Sequence, residues 1–279
     1  MTDRIAIGIA AYGTQPVEWW ADFSNMCATF KHYDIELGAI YTAKTMLADS
    51  NRNQVVKMFM KSTHDWLLWV DTDNTIPPGG VRRLLDTKQD FVSGLYYLKH
   101  EPYTPVAYWR QANNRYEPIH DWNQGEILPV ACGGMGAVLT HRSVFEKIEK
   151  QFEIVQIWDG ALITVHKDDI RGSIPKKIDL ERKPKILDGY YTYQVHKPDF
   201  EVTAWPHFRF EHGRTEDMIF YENALRAGIQ PFVDTSVEVG HIGQVIVTGE
   251  KHRDKLRREW FKYAENPTPL MGESFEGLC

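Results

Sequence analysis

The strongest constraint on the fold is an apolar run that ends in two carboxylates. Residues 66–70 read W-L-L-W-V, and a run of this kind between polar residues is typical of a strand buried on both faces of a parallel sheet. Asp71 and Asp73 follow at once, and residues 74–78 predict a turn. Because open α/β sheets bind ligands at the carboxyl ends of their strands, we expect both carboxylates at the ligand-binding edge.

The two carboxylates allow two interpretations. They are hard oxygen ligands that suit a divalent cation, or they hydrogen-bond the backbone of the turn, as Asp and Asn often do. A calcium-binding EF-hand loop is excluded, because counting from Asp71 the sixth position is Ile76 instead of glycine and the twelfth is Arg82 instead of glutamate. The motif alone leaves the first two interpretations open.

The composition is that of an ordinary globular protein. The 279 residues are 43% hydrophobic and 25% charged, which is enough for one full core with a sizeable insertion. A net charge of -6 gives the whole molecule no bias towards nucleic acid or an anionic membrane. Three cysteines without a C-x-x-C pair (Cys27, Cys132 and Cys279) argue against a disulfide framework and against a zinc site.

These features also bear on location. The chain has no apolar run of about 18 residues and no evident signal peptide, so we expect no membrane association. The odd cysteine count fits a reducing compartment. A cytoplasmic protein is therefore expected.

The first third of the chain alternates strands with helices. Strands are predicted at residues 5–11, 35–41 and 66–70, and helices after Pro16 and after Asp49. Short connections between such elements give right-handed crossovers and a parallel sheet. The first and third strands then end at the same edge, so Tyr12 and Asp71 are expected to share a cleft.

A glycine-rich apolar stretch follows later in the chain. Residues 130–139 read V-A-C-G-G-M-G-A-V-L and are predicted as a strand. Glycine inside a strand indicates close approach of the backbone to a ligand or another chain, or equally a β-bulge or tight packing. The flanking predictions are a helix at 79–87, a strand at 91–98, a hairpin within 105–129 and a helix at 145–152.

The composition changes over residues 153–200. Basic residues such as Arg171 and Lys185 alternate there with aromatic ones such as Tyr190, an arrangement that could stack bases and bind phosphates. The alternative is a solvated insertion whose positive charges are balanced by acids such as Asp168.

The second informative block spans residues 213–243. Thr215 is a favourable N-cap for a helix with Glu216 and Asp217 in its first turn, and His241 lies near the end of the block. Each feature has a structural explanation, since acids stabilise a helix N-terminus and a single histidine is often a packed structural residue. Their joint presence with the Asp pair is what favours a functional site.

With these features in order, the chain resembles the family 2-like branch of the GT-A glycosyltransferases over most of residues 4–243. The shared marks are the D-x-D motif, the glycine-rich loop, the T-E-D tripeptide at 215–217 and the C-terminal histidine. The resemblance implies an α/β fold whose Rossmann-like, mostly parallel central sheet is flanked by helices. It also implies a nucleotide-sugar donor, expected to be a UDP-sugar. The long insertion before the T-E-D tripeptide departs from the family pattern, so the resemblance does not extend to the part of the chain that would bind the acceptor.

The resemblance assigns roles to individual residues. It implies Mn²⁺, or Mg²⁺ as a substitute, bound by Asp73 and His241, with Asp71 in the metal or donor shell; an imidazole ligand suits manganese better than magnesium. Asp217, with Glu216 beside it, matches the catalytic base of an inverting transfer. The residues expected to contact the donor are Ala11, Tyr12, Arg52, Asp71, Thr72, Gly133, Gly134 and Met135.

Two other classes of protein compete with this interpretation. A sugar nucleotidyltransferase needs a glycine-rich loop with Arg or Lys after its first strand, and residues 10–15 contain neither base. A non-catalytic carbohydrate- or nucleic-acid-binding module would explain the nine tryptophans without a role for Asp217. Manganese-dependent release of UDP from a donor sugar separates an enzyme from a binding module.

The acceptor is expected to be soluble. If the protein is phage-encoded, it is expected in the host cytoplasm. A looser resemblance to phage glycosyltransferases that modify hydroxymethylated pyrimidines points to DNA. Two basic segments, 171–193 and 250–263, could bind its phosphates, although a charged run is often only a solvated face. The predicted organisation is a nucleotide-sugar-binding half at 1–152, an insertion at 153–212, a catalytic segment at 213–249 and a C-terminal helix and tail at 250–279.

Overall fold

The computed structural model describes residues 3–156, 162–166, 207–243 and 249–254, except positions 12, 14, 46, 114, 211, 212 and 251. The strands are β1 (Asp3–Ala10), β2 (Ile35–Ala43), β3 (Trp66–Val70), β4 (Asn74–Thr75), β5 (Phe91–Leu95), β6 (Ala107–Arg110), β7 (Tyr116–Pro118), β8 (Ile127–Pro129), β9 (Cys132–Gly133), β10 (Ala137–His141), β11 (Phe152–Gln156), β12 (Leu162–His166), β13 (Phe232–Glu238) and β14 (Gly240–His241). The α-helices are α1 (Val17–Thr29), α2 (Ala48–Met60), α3 (Gly80–Asp86), α4 (Arg142–Glu149) and α5 (Glu216–Arg226).

A seven-stranded sheet forms the centre of the molecule, in the order β2-β1-β3-β10-β5-β13-β8. β1 pairs in parallel with β2 and β3, and β13 pairs in parallel with β5. β10 is antiparallel to both β3 and β5, and β8 is antiparallel to β13. The sheet is therefore largely parallel and compatible with a Rossmann-like fold, which confirms the predicted α/β class.

Helices cover both faces of this sheet because its central strands are apolar on both faces. In β3, Leu67 and Trp69 belong to one core cluster, and Leu68 and Val70 belong to another. The first cluster includes the buried faces of α2, α4 and α5, and the second includes those of α1 and α3. Since alternate side chains of a strand point to opposite faces, the W-L-L-W-V run is buried on both sides, as predicted.

The glycine-rich stretch contains two strands, so the single strand predicted over 130–139 is wrong. β9 ends at Gly133 and pairs with β6, whereas β10 begins at Ala137 and lies in the central sheet. The chain turns over residues 134–136, and this turn carries it from one sheet to the other.

Three other predicted boundaries differ as well. The helix predicted at 145–152 is α4, which begins at Arg142 because the ring of His141 accepts a hydrogen bond from the Ser143 N–H (3.2 Å). Phe152 begins β11 instead of ending that helix. The strand predicted at 91–98 is β5 and ends at Leu95.

Smaller sheets lie beside the central one. β6 and β7 form the predicted hairpin, which β9 extends, and β4 pairs with β14. β11 and β12 form an antiparallel pair within the predicted insertion. Residues 167–206 of that insertion, and the basic segment from 255 onwards, lie outside the described residues. None of the helices in the described part of the chain is long and apolar enough to cross a bilayer.

Candidate functional site

The backbone after β3 is fixed by three hydrogen bonds at Asp71. The indole N–H of Trp19 donates to the Asp71 carbonyl oxygen (2.8 Å), and the Asp71 N–H donates to the carbonyl oxygen of Gly136 (3.1 Å). The Asn74 N–H donates to the same Asp71 carbonyl (3.2 Å), which closes the turn. Because β1 and β3 are parallel, this turn lies beside the end of β1 at one edge of the sheet.

Arg52 joins Asp71 to the start of α5. Its side chain comes from α2 and is buried, with 4% exposed. Nη2 lies 3.1 Å from Asp71 Oδ2, and Nε lies 3.3 Å from Asp217 Oδ1 and 3.5 Å from Glu216 Oε1. The structure thus brings together four residues that the sequence predicts for the site. One guanidinium contacts three carboxylates in this buried cluster.

Burial sets the protonation of the cluster. It raises the pKa of Asp217 to about 8; the charge of Arg52 opposes this shift, and the charges of Glu216 and Asp71 add to it. Burial lowers the pKa of Arg52, but the carboxylates of Asp71 and Asp217 outweigh it and hold that pKa above its ordinary value. At neutral pH, therefore, Asp217 holds a proton and Arg52 is charged. The Asp217 side chain is 21% exposed, so part of this carboxyl group reaches the surface.

One donor of Arg52 lacks an acceptor. Nη1 is buried and makes no hydrogen bond. The guanidinium lies 5.7 Å from the ring centroid of Trp69 and 5.8 Å from that of Phe208, and such rings attract a cation but accept no strong hydrogen bond. A buried donor without a partner costs roughly 1–3 kcal/mol. Nη1 is therefore suited to an anionic oxygen that the described residues do not supply.

His241 reaches the second aspartate of the motif. Pairing of β14 with β4 places His241 opposite Asn74, and the Ile242 N–H donates to the Asp73 carbonyl (2.6 Å). The His241 Nδ1–H donates to the carbonyl oxygen of Tyr97 (2.8 Å), which leaves Nε2 unprotonated, 3.9 Å from Asp73 Oδ2. Burial lowers the pKa of His241, so the ring is neutral at neutral pH. A histidine anchored through Nδ1 to a carbonyl is the usual form of a metal ligand.

Lys99 contacts the same carboxylate. Its Nζ lies 2.5 Å from Asp73 Oδ2, and both side chains are 37% exposed. Across the described ranges, no group of three or more His, Cys, Asp or Glu side chains could hold a metal ion. Of the three predicted metal ligands, Asp73 and His241 lie together, whereas Asp71 is paired with Arg52. The described residues thus offer two protein ligands, with a lysine in contact with one of them.

The glycine loop is packed against the chain itself. A Cβ on Gly134 would collide with the hydroxyl of Tyr96, and a Cβ on Gly136 would collide with the side chain of Asn74. The Tyr221 hydroxyl donates to the Gly134 carbonyl (3.2 Å), and the side chain of Met135 is fully buried in the core. These glycines therefore permit tight packing, which is one of the two alternatives that the sequence leaves open.

The remaining predicted donor contacts lie around the ends of β1 and β3. The Ala11 carbonyl accepts a hydrogen bond from the side-chain amide of Asn51 (3.0 Å). Thr72 is half-buried in the turn between Asp71 and Asp73. Tyr12 lies outside the described residues.

Sequence reasoning misses three residues of this site, Trp19, Tyr96 and Lys99. The pKa of Tyr96 is raised by burial and then by the charges of Asp217 and Asp71, which places a neutral hydroxyl beside the cluster. None of the three belongs to a motif. The only available signal is that Tyr96 and Lys99 follow β5, whose carboxyl end points to the same edge as that of β3.

Comparisons with known proteins find similarity among solved structures. No family model matches the chain, and no curated protein matches it. Among solved structures, the chain is similar to the crystal structure of A197 from STIV, with 15% sequence identity and a TM-score of 0.44 over 89% of this chain and 91% of that chain. Fold and site together define a mixed α/β protein with carboxylates, a buried arginine and an anchored histidine at the carboxyl edge of its central sheet.

Proposed function

We propose that the protein is a GT-A-type glycosyltransferase that moves a hexose from a UDP-sugar to a hydroxyl acceptor, with inversion at the anomeric carbon. The observation that carries the proposal is the convergence of Arg52, Asp71 and Asp217 at the carboxyl edge of the sheet. Transfer from a nucleoside diphosphate needs positive charge at the leaving group and a base at the acceptor. Arg52 and Asp217 supply one of each, 3.3 Å apart.

The diphosphate of the donor would bind at Arg52. The unpartnered Nη1 of this residue can donate to a phosphate oxygen. That oxygen would be the acceptor that Nη1 does not have within the buried cluster. Asp71 keeps the guanidinium oriented through its contact with Nη2. On the resemblance to the family, the nucleobase would lie at Ala11 and Tyr12, at the end of β1.

Asp73 and His241 fit a divalent cation as a pair of ligands. Oδ2 and Nε2 lie 3.9 Å apart, close enough that the two side chains would hold one ion together. A carboxylate with a neutral imidazole suits Mn²⁺, with Mg²⁺ as a substitute. When bound, the ion would offset the charge that develops on the leaving diphosphate.

Asp217 would act as the base for the acceptor hydroxyl. As the acceptor oxygen bonds to the anomeric carbon, its proton passes to Asp217, and the bond from that carbon to the diphosphate breaks with its electrons leaving on UDP. A pKa of about 8 makes the ionised form a stronger base than an exposed aspartate. Glu216 contacts the same guanidinium and would position it.

A panel of nucleotide sugars tests the proposal. We expect release of UDP from at least one UDP-sugar, loss of that release on addition of EDTA, and its return with excess Mn²⁺. The control variant is Asp86→Asn, which should leave release unchanged, since Asp86 is an exposed carboxylate that pairs with Arg82 in the same helix. No release of nucleoside diphosphate from any donor would refute the proposal.

DNA as the acceptor stays a prediction, because the basic segments that would bind it, 171–193 and most of 250–263, lie outside the described residues. The protein would be incubated with Mn²⁺, donor sugars and DNA that contains hydroxymethylated pyrimidines. A hexose mass gain in the digested nucleosides would identify DNA as the acceptor. Glycosylation of another acceptor alone would contradict it.

A further inference from the structure

A cleft of about 440 Å³ lies next to the Asp73 and His241 pair. The two sites share Tyr97: its ring lines the cleft, and its carbonyl oxygen accepts the hydrogen bond from His241 Nδ1 (2.8 Å). Small-molecule sites commonly have volumes of about 300–1,000 Å³. The cleft is thus large enough for a small ligand beside the proposed reaction centre.

Half of the residues that line the cleft carry an aromatic ring. The rings of Tyr97 and His252 are stacked, with centroids 4.8 Å apart and planes 27° apart, and both side chains are buried. Trp122 is half-buried and packs against the core, so part of its indole faces the cleft. A partly exposed indole held by the core is a rigid flat surface with little conformational entropy to lose on binding.

Among the lining residues that the structure describes, the one guanidinium is paired with a carboxylate. Arg253 is the only Lys or Arg among the lining residues within the described ranges, and its Nη1 donates to Glu238 Oε1 (2.7 Å). Gln124 supplies an exposed amide. The Thr235 hydroxyl already donates to neighbouring backbone carbonyls. Such a lining suits a neutral ligand with many hydroxyl groups better than a phosphate-bearing one, which would need unpaired cations.

We propose that this cleft binds a neutral saccharide, with a sugar face stacked on Trp122 and its hydroxyls hydrogen-bonded to Gln124 and Glu238. Because the cleft and the His241 site share Tyr97, we assign the bound saccharide as the acceptor of the transfer, a role that rests on the proposed function. The binding itself does not depend on it. The proposal replaces DNA with a saccharide as the acceptor class.

Calorimetric titration with neutral mono- and disaccharides, in the absence of donor and metal, tests the binding. We expect at least one saccharide of the panel to bind, and Trp122→Ala to weaken it by about tenfold or more. Gln124→Ala, which changes an exposed side chain, should weaken binding without affecting folding. The control is Trp109→Ala, because Trp109 is 54% exposed and does not line the cleft.

The outcomes separate this proposal from the proposed function. If no saccharide of the panel binds, or if Trp109→Ala and Trp122→Ala have equal effects, the cleft proposal is overturned whatever the donor assay shows. Binding of duplex DNA that is lost in Trp122→Ala would also overturn it. Saccharide binding without UDP release from any donor would support the cleft and refute the glycosyltransferase.

Discussion

Arg52 Nε lies 3.3 Å from Asp217 Oδ1, so α2 and the first turn of α5 meet at the carboxyl end of β3. This contact joins the predicted nucleotide-binding half of the chain to the predicted catalytic segment. The same guanidinium contacts Asp71. Because all these groups are largely withdrawn from water, the contact affects the stability of the fold as well as the chemistry of the site.

Arg52→Ala should destabilise the protein strongly. Removal of one partner leaves buried carboxylates without a counter-charge, a change that costs about 3–5 kcal/mol. Urea denaturation at neutral pH measures the loss in the free energy of unfolding. Arg115→Ala is the control, since Arg115 is exposed. An Arg52 variant as stable as this control would contradict the account of the cluster.

Asp217 should make the fold less stable as the pH rises from about 4 to about 8. An aspartate in the unfolded chain ionises with a pKa of about 3.9, whereas burial raises the pKa of Asp217 in the folded protein to about 8. Between these values the unfolded state binds fewer protons than the folded state, so the free energy of unfolding falls with increasing pH.

Asp217→Asn cannot ionise, so it should remove that decline. Urea denaturation at about pH 5 and about pH 8 measures it: the variant should gain stability relative to the parent protein at the higher pH. Equal declines in both proteins would show that Asp217 is not a buried, protonated acid.

Lys99→Met should tighten binding of Mn²⁺. The lysine ammonium lies 2.5 Å from Asp73 Oδ2 and competes with the ion for that oxygen. Because exposed ion pairs contribute only about 0.2–1 kcal/mol, the gain should be about 1.4- to fivefold. Electron paramagnetic resonance of free Mn²⁺ measures the affinity, with Lys31→Met as an exposed control. A weaker affinity in Lys99→Met would mean that Lys99 assists the site instead of competing for it.

Gly134→Ala should destabilise the fold by about 1–3 kcal/mol, the usual cost of overpacking. The new methyl group would collide with the Tyr96 hydroxyl, so Tyr96→Phe in the same chain should recover part of the loss. Thermal denaturation of the two single variants and the double variant gives the coupling. A neutral Gly134→Ala would mean that the loop is open to a ligand at this position.

Local sequence pattern predicts the elements that carry the site. The W-L-L-W-V run identifies β3 because every position is apolar, and Thr215 with Gly228 brackets α5, whose C-terminal Gly228 has a φ of +74°. The edge position of Asp71 and Asp73 follows from these elements alone. The meeting of Arg52 with Asp71 and Asp217 is expected only through the resemblance to a family.

The sequence does not reveal which elements distant in the chain become neighbours in the fold. The antiparallel strand β10 lies between β3 and β5, and no local periodicity specifies which strands become neighbours. Lys99 reaches Asp73 only because β5 and β3 end at one edge. The tight fit of Gly134 against Tyr96 likewise depends on packing between elements distant in sequence, so the sequence could not decide between packing and a ligand.

The rate of UDP release from the accepted donor as a function of pH, measured for the parent protein and for Asp217→Asn, tests the central claim most directly. With Asp217 as the base, the rate should rise with pH and level off above an apparent pKa of about 8. Asp217→Asn should bind UDP normally. Its rate of UDP release from the donor sugar should be lower by at least about 10²-fold at every pH. A variant with the rate and pH profile of the parent protein would contradict the claim that Asp217 takes the acceptor proton.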